Sequence, residues 1–107
     1  MSQRCNRCDP LPKGVLEAAD VLGRRWALAL LYASHEGAVR FNEFRQAVPD
    51  VPPRTLAQRL ADLEDAGLLE RRIVDARPPH VEYVLTPPGR RLKTVVDALR
   101  RWPRQPA

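Results

Sequence analysis

A chain of 107 residues with 18 Lys+Arg against 13 Asp+Glu, 44% apolar residues and two cysteines has room for one small domain with a single core. With 29% of its residues charged it is too apolar to stay wholly disordered, and no stretch approaches about 18 uncharged apolar residues, so a membrane-spanning helix is excluded. The formal net charge of +5 favours a polyanionic partner, against the alternative of a merely solvated basic surface.

Met1 to Pro10 has no apolar stretch and no small-residue cleavage site, which predicts no secretory signal and a cytoplasmic location. Two cysteines make no disulfide framework, and the chain offers no paired carboxylates, metal-ligand spacing, nucleophile elbow or phosphate loop. The expectation is therefore no enzyme, no metal and no cofactor.

Eleven prolines, at 10 and 12; 49, 52 and 53; 78 and 79; 87 and 88; 103 and 106, divide the chain into blocks at 13–48, 54–77, 80–86 and 89–102. The first block opens with Val15, Leu16, Ala18, Ala19, Val21 and Leu22 at helical spacing and stops at Gly23, which predicts a first helix. Ala27 to Tyr32 is almost continuously apolar and predicts a central core helix, with Trp26 and Tyr32 as core anchors. Gly37 ends it, Ala38-Val39-Arg40 is short and extended, and Phe41, Phe44, Ala47 and Val48 predict a third helix of about two turns.

The fourth helix, 54–66, is the most regular. Leu56, Leu60 and Leu63 lie at i, i+4 and i+7, while Arg54, Thr55, Gln58, Arg59 and Asp62 are expected on the opposite side, and Gly67 closes the helix. Leu68 to Val74 and the alternating Val81, Tyr83 and Leu85 predict an antiparallel hairpin. The six residues Asp75 to His80 are too many for a tight turn and form a protruding tip. Thr86 and Pro87 supply a cap and a first-turn proline for a last helix, with Leu92, Val95, Val96, Leu99 and Trp102 down one face.

Three helices, a recognition-type fourth helix, a hairpin and a final helix make a mainly α fold with a small antiparallel β-hairpin: the winged helix-turn-helix order. Over about 13–102 the chain resembles HxlR-type winged helix-turn-helix regulators of bacterial transcription. The matching stretches are Leu22-Gly23-Arg24-Arg25-Trp26, Arg40 to Arg45, Thr55 to Leu60 with Leu63-Glu64 and Gly67-Leu68, and Pro78 to Thr86 with Gly89. The resemblance implies a homodimer on a palindromic operator, with the first and last helices at the subunit interface, the fourth in the major groove, and the hairpin tip at the flanking minor groove. Residues 1–12 are then a flexible arm, 13–102 the domain and 103–107 a short tail. Three positions depart from the family pattern: Pro52 stands in place of a capping serine, His80 in place of a basic residue, and Lys13 in place of a sensor cysteine.

The expected DNA-binding residues are Arg54, Thr55, Gln58 and Arg59 for base edges or phosphates, Arg77 and His80 at the tip, and Arg24, Arg25 and Arg40 toward phosphates or, equally, as plain surface charge. A solvated polar helix face is the alternative reading of the first four. The expected dimer interface is Leu16, Leu22, Leu92, Val95, Val96, Leu99 and Trp102, against the alternative of an intramolecular core. Cys5-Asn6-Arg7-Cys8 is read as a redox pair, with Arg4 and Arg7 favouring thiolate, or as an inert arm; zinc would lack ligands. The expected function is a sequence-specific DNA-binding regulator, a repressor acting by operator occupancy, with a redox response as a candidate property. The rival is a winged-helix module for protein–protein interaction. No small-molecule effector is legible.

Overall fold

The computed structural model describes residues 9–103, and the prolines there stand at element boundaries or in first turns and the hairpin tip. Helices α1 (Lys13–Leu22), α2 (Ala27–His35), α3 (Phe41–Ala47) and α4 (Pro53–Asp65) come first. Strands β1 (Leu69–Val74) and β2 (His80–Leu85) follow, then a single helical turn α5 (Pro87–Arg90) and α6 (Lys93–Arg101). The fold is a winged helix-turn-helix: mainly α with a small antiparallel hairpin.

The core forms because α2 has almost no polar face to present to water. Its Leu30 and Ala33 are buried against Phe44 of α3, Val51 of the connecting turn, Leu56, Leu60 and Leu63 of α4, and Leu69 of β1. The i, i+4, i+7 spacing of the three leucines brings all of them to one face of α4, and each is 0% exposed. Trp26 packs against this cluster from its edge, half-buried. Tyr32 is half-buried too, with the guanidinium of Arg100 5.6 Å above its ring.

Where a side-chain cap was lacking at the start of α4, proline takes its place. Pro52 is the N-cap, its carbonyl accepts from Leu56 N at 2.8 Å, and Pro53 occupies the first helical position, where no N–H is needed. The α3 start is held differently: Glu43 Oε1 accepts from the backbone N–H groups of both Val39 and Arg40 at 2.9 Å. Those two bonds hold the Glu43 carboxyl below its usual range, Val39 first and Arg40 second.

Strands β1 and β2 pair from Leu69 opposite Leu85 to Val74 opposite His80. His80 therefore belongs to the strand, and the tip is the five residues 75–79 rather than six. Tyr83 N donates to Val39 O at 2.7 Å, which lays the extended Ala38-Val39-Arg40 segment beside β2.

The last helix departs from expectation because tertiary contacts break it. Thr86 Oγ1 accepts from Gly89 N at 3.1 Å, the expected cap, and donates to Gly67 O at 2.5 Å. The Gly89 backbone lies so close to the Leu68 carbonyl that a Cβ would collide with it. A ring N–H at His35 Nε2 reaches Gly89 O at 3.0 Å, and Leu92 N bonds that same carbonyl only three residues back. After this tightened turn α6 begins at Lys93, and Val96 on it is buried to 2% exposure. Val96 is thus part of its own chain's packing, which corrects its place in the expected interface stripe.

Candidate nucleic-acid interface

The N-terminal half of α4 faces outward because its inward face is committed to the core. Arg54 and Gln58 are exposed, and Thr55 and Arg59 are half-buried. The backbone N–H groups at this end give it partial positive charge. Acidic side chains stand at the far end, with Asp65 exposed and Glu64 half-buried.

Asp62 does not project with them. Expected among the side chains projecting opposite the leucines, it is instead 8% exposed and the hub of a polar cluster. Its Oδ1 accepts from Gln58 Nε2 at 2.9 Å and lies 3.1 Å from Arg24 Nη1, while its Oδ2 accepts from Arg59 Nη1 at 3.1 Å. Burial alone would raise its pKa, but the hydrogen bonds from Gln58, Arg24 and Arg59 and the Arg24 charge outweigh that and hold it below 3.8. Asp62 is an anion across the physiological range.

The cluster ties α4 to the α1–α2 junction. Arg59 Nε donates to Arg25 O at 2.9 Å, and Arg24 also reaches Asp20 of α1 at 3.2 Å. At this junction Trp26 takes φ 76°, in the left-handed region that costs about 1–2 kcal/mol for a residue with a Cβ. The Arg25 guanidinium covers the Trp26 ring at 5.0 Å. Of the expected DNA-contacting residues, the structure therefore brings Arg24, Gln58 and Arg59 together around one carboxylate. Arg54 and Thr55 stand one turn nearer the helix start.

The remaining candidates lie toward the wing. Arg40 is exposed where the extended segment meets β2, and Arg77 is exposed on the tip, in a cis peptide with Pro78. His80 Nε2 lies 3.1 Å from Glu82 Oε2 on the same strand face. Sequence reasoning overlooked Arg71, also exposed and on β1 opposite Tyr83; its signal was the Arg71-Arg72 pair in the strand leading to the hairpin tip.

Apolar side chains are also exposed on α1 and α6. Helix α1 buries none of its residues, with Val15 50% and Leu16 53% exposed, and on α6 Val95, Leu99 and Trp102 are 40%, 36% and 78% exposed. Leu22 and Leu92 are half-buried and line a cleft of about 460 Å³ between α1, the end of α4 and α5. Cys5 and Cys8 lie outside the described residues. Among the described residues no helix is long and apolar enough to cross a membrane, and no three His, Cys, Asp or Glu side chains are grouped to hold a metal ion.

Comparison with known proteins agrees with this geometry. Residues 21–106 match the family model for HxlR-like helix-turn-helix proteins. An uncharacterised HTH-type transcriptional regulator, YybR of Bacillus subtilis (strain 168), is 40% identical over 83 residues, 78% of this chain and 66% of that protein, so the match spans just under two thirds of its length. The reduced form of the transcriptional regulator YodB from B. subtilis superposes with a TM-score of 0.77 at 29% identity, covering 87% of this chain and 91% of that one. The redox regulator HypR in its reduced form gives 0.74 at 38% identity, over 84% of this chain and 89% of its own.

Proposed function

The chain belongs to the HxlR-like helix-turn-helix family, and on that premise we propose that it binds a palindromic operator as a homodimer and represses transcription by occupying it. One observation carries the reading: the arginine-bearing N-terminal half of α4 is held outward by Leu56, Leu60 and Leu63, each fully buried on the other side. A helix of this size fits the roughly 12 Å major groove of B-DNA, and its positive end leads. Arg54 and Thr55 then face base edges, with Gln58 and Arg59 behind them, Arg40 and Arg24 toward phosphates, and Arg77 with His80 along the flanking minor groove.

The homodimer is supported by the two apolar helices. Helix α1 meets its own chain's core only at its end, through half-buried Val21 and Leu22, and a ten-residue helix with so little of its apolar surface covered is marginal in water. A second subunit applying its own α1 and α6 would cover Leu16, Val95, Leu99 and Trp102. Leu22 and Leu92 sit at the border of that surface.

Similarity to YodB and HypR, the latter a redox regulator, supports a thiol-based response, for which Cys5 and Cys8 are the residues available.

The test is selection of duplexes from a randomised pool. A palindrome with half-sites about 34 Å apart is expected to be enriched, and recovery of no preferred sequence would contradict the proposal. On the selected duplex, peroxide is expected to change the affinity of the wild type and leave the Cys5→Ser/Cys8→Ser variant unchanged; identical responses would remove the redox role.

A further inference from the structure

Asp62 has a negative charge on the helix proposed to meet a polyanion, where an exposed carboxylate would repel phosphate. The structure resolves the conflict by burial. Three side chains converge on that one carboxylate, two of them cationic: Arg24 at 3.1 Å, Arg59 at 3.1 Å and Gln58 at 2.9 Å. Arg59 is further fixed by its Nε–H to the Arg25 carbonyl, and Arg24 by Asp20 of α1. Two of the donors on Arg59 are thus spent inside the protein, and its side chain is only 22% exposed. A guanidinium held by both Nε and Nη1 cannot swing freely toward a base. It acts as a strut between α4 and the strained turn at Trp26.

We propose that Asp62 is a positioning residue for operator selectivity: by holding Gln58, Arg59 and Arg24 in one arrangement, it fixes the side chains of α4 and its placement against the α1–α2 junction. Free arginines would bind phosphate anywhere along a duplex, and non-specific affinity is largely a matter of such charge. Arginines tied to a carboxylate bind phosphate less readily at random sites, and the groups left to read bases stand in one geometry. The carboxylate therefore lowers non-specific affinity while raising the preference for the operator. This inference rests on the DNA-binding reading of α4 and adds a role for a residue that does not itself face the duplex.

The test compares the wild type, Asp62→Asn and Asp62→Glu on two probes: the duplex selected by the wild type, and a scrambled duplex of the same length and composition. Thermal unfolding and sedimentation are run alongside. Asp62→Asn keeps the shape and loses the charge. It is expected to bind the selected duplex about tenfold more weakly and the scrambled duplex equally well or more tightly, so that the preference falls at least tenfold. Asp62→Glu, which restores the charge, is expected to recover part of it. Equal loss on both probes, or no loss on either, would overturn the proposal.

If Asp62→Asn does not fold, Arg24→Gln supplies the same comparison. It removes one anchor of the cluster at a side chain that is 40% exposed and also placed toward phosphate, so both duplexes are expected to bind more weakly, the selected one by about tenfold more than the scrambled one, and an equal loss on the two would overturn the proposal. A wild type that prefers no duplex at all would sink the DNA-binding reading itself. A wild type with a clear preference that survives both substitutions would sink only the role of Asp62.

Discussion

Raising salt from 50 to 200 mM is expected to weaken binding to the selected duplex by about 10³–10⁵-fold, the loss that accompanies release of counterions from about six to ten phosphates. That number of contacts is within reach of a dimer. Each subunit exposes Arg54 at the start of α4, Arg40 beside β2, and Arg71 and Arg77 on the wing, and two subunits double the set. A titration of affinity against salt at fixed pH measures the slope directly. The rival reading, in which the polar face of α4 meets another protein, predicts a much shallower dependence, because the centre of such an interface is apolar and its charges lie at the rim. A slope corresponding to fewer than about two phosphates would favour that rival.

Leu99→Asp is expected to convert the proposed dimer to a monomer while leaving the fold intact. Leu99 is 36% exposed on α6, between Val95 and Trp102, and lines an open, largely apolar groove of about 960 Å³ that runs along α2 and α3. In the isolated subunit an aspartate there stays in contact with water. Buried in a subunit interface without a partner, it would cost about 3–5 kcal/mol, a shift of at least a hundredfold in the dimer dissociation constant. Loss of the second half-site would follow, lowering operator affinity by about 10²–10⁴-fold. Sedimentation at several concentrations checks the first effect, and circular dichroism the integrity of the fold. A Leu99→Asp protein that remains dimeric would place the interface elsewhere. Val96, three residues earlier, is no substitute in this test: it is 2% exposed within its own chain, and a charge there would unfold the subunit.

The contrast between Val96 and Leu99 shows how far the amino-acid order alone could go. Local periodicity placed the helices and the leucine face of α4, because burial of a helix face and the spacing 0, 4, 7 are the same fact. Thr86 was legible as a cap, and glycine or proline marked nearly every boundary. The division of the last helix was not legible. It depends on the close approach of Gly89 to the Leu68 carbonyl and on His35 from α2, partners 21 and 54 residues away. Val96 and Leu99 share α6 and one apolar stripe, and which of them is buried in the subunit's own core is set by how α6 docks on α2, which local periodicity does not contain.

The candidate site was legible in the same measure. Its outline, an exposed Arg54-led helix end with acids at the far end, followed from the sequence. The burial of Asp62 did not, since Arg24, which pairs with it, and the Arg25 carbonyl, which fixes its partner Arg59, come from the α1–α2 junction. The spacing did contain half of the signal: Gln58 and Arg59 lie four and three residues before Asp62, within reach on one helix face. An acid at that spacing from two donors, on the helix otherwise most suited to DNA, is better read as an internal anchor than as surface charge.

The central claim is that the N-terminal half of α4 lies in the groove of a duplex, and proximity cleavage measures this directly. An iron chelate is attached to a cysteine introduced at Ala57, and in a second protein at Asp65, both exposed on α4, with Cys5 and Cys8 replaced by serine. On the selected duplex the Ala57 probe is expected to cut strongly in two clusters about one helical turn apart, and the Asp65 probe, about 12 Å further along the helix, only weakly. Equal cutting from both positions, or none from Ala57, would contradict the claim.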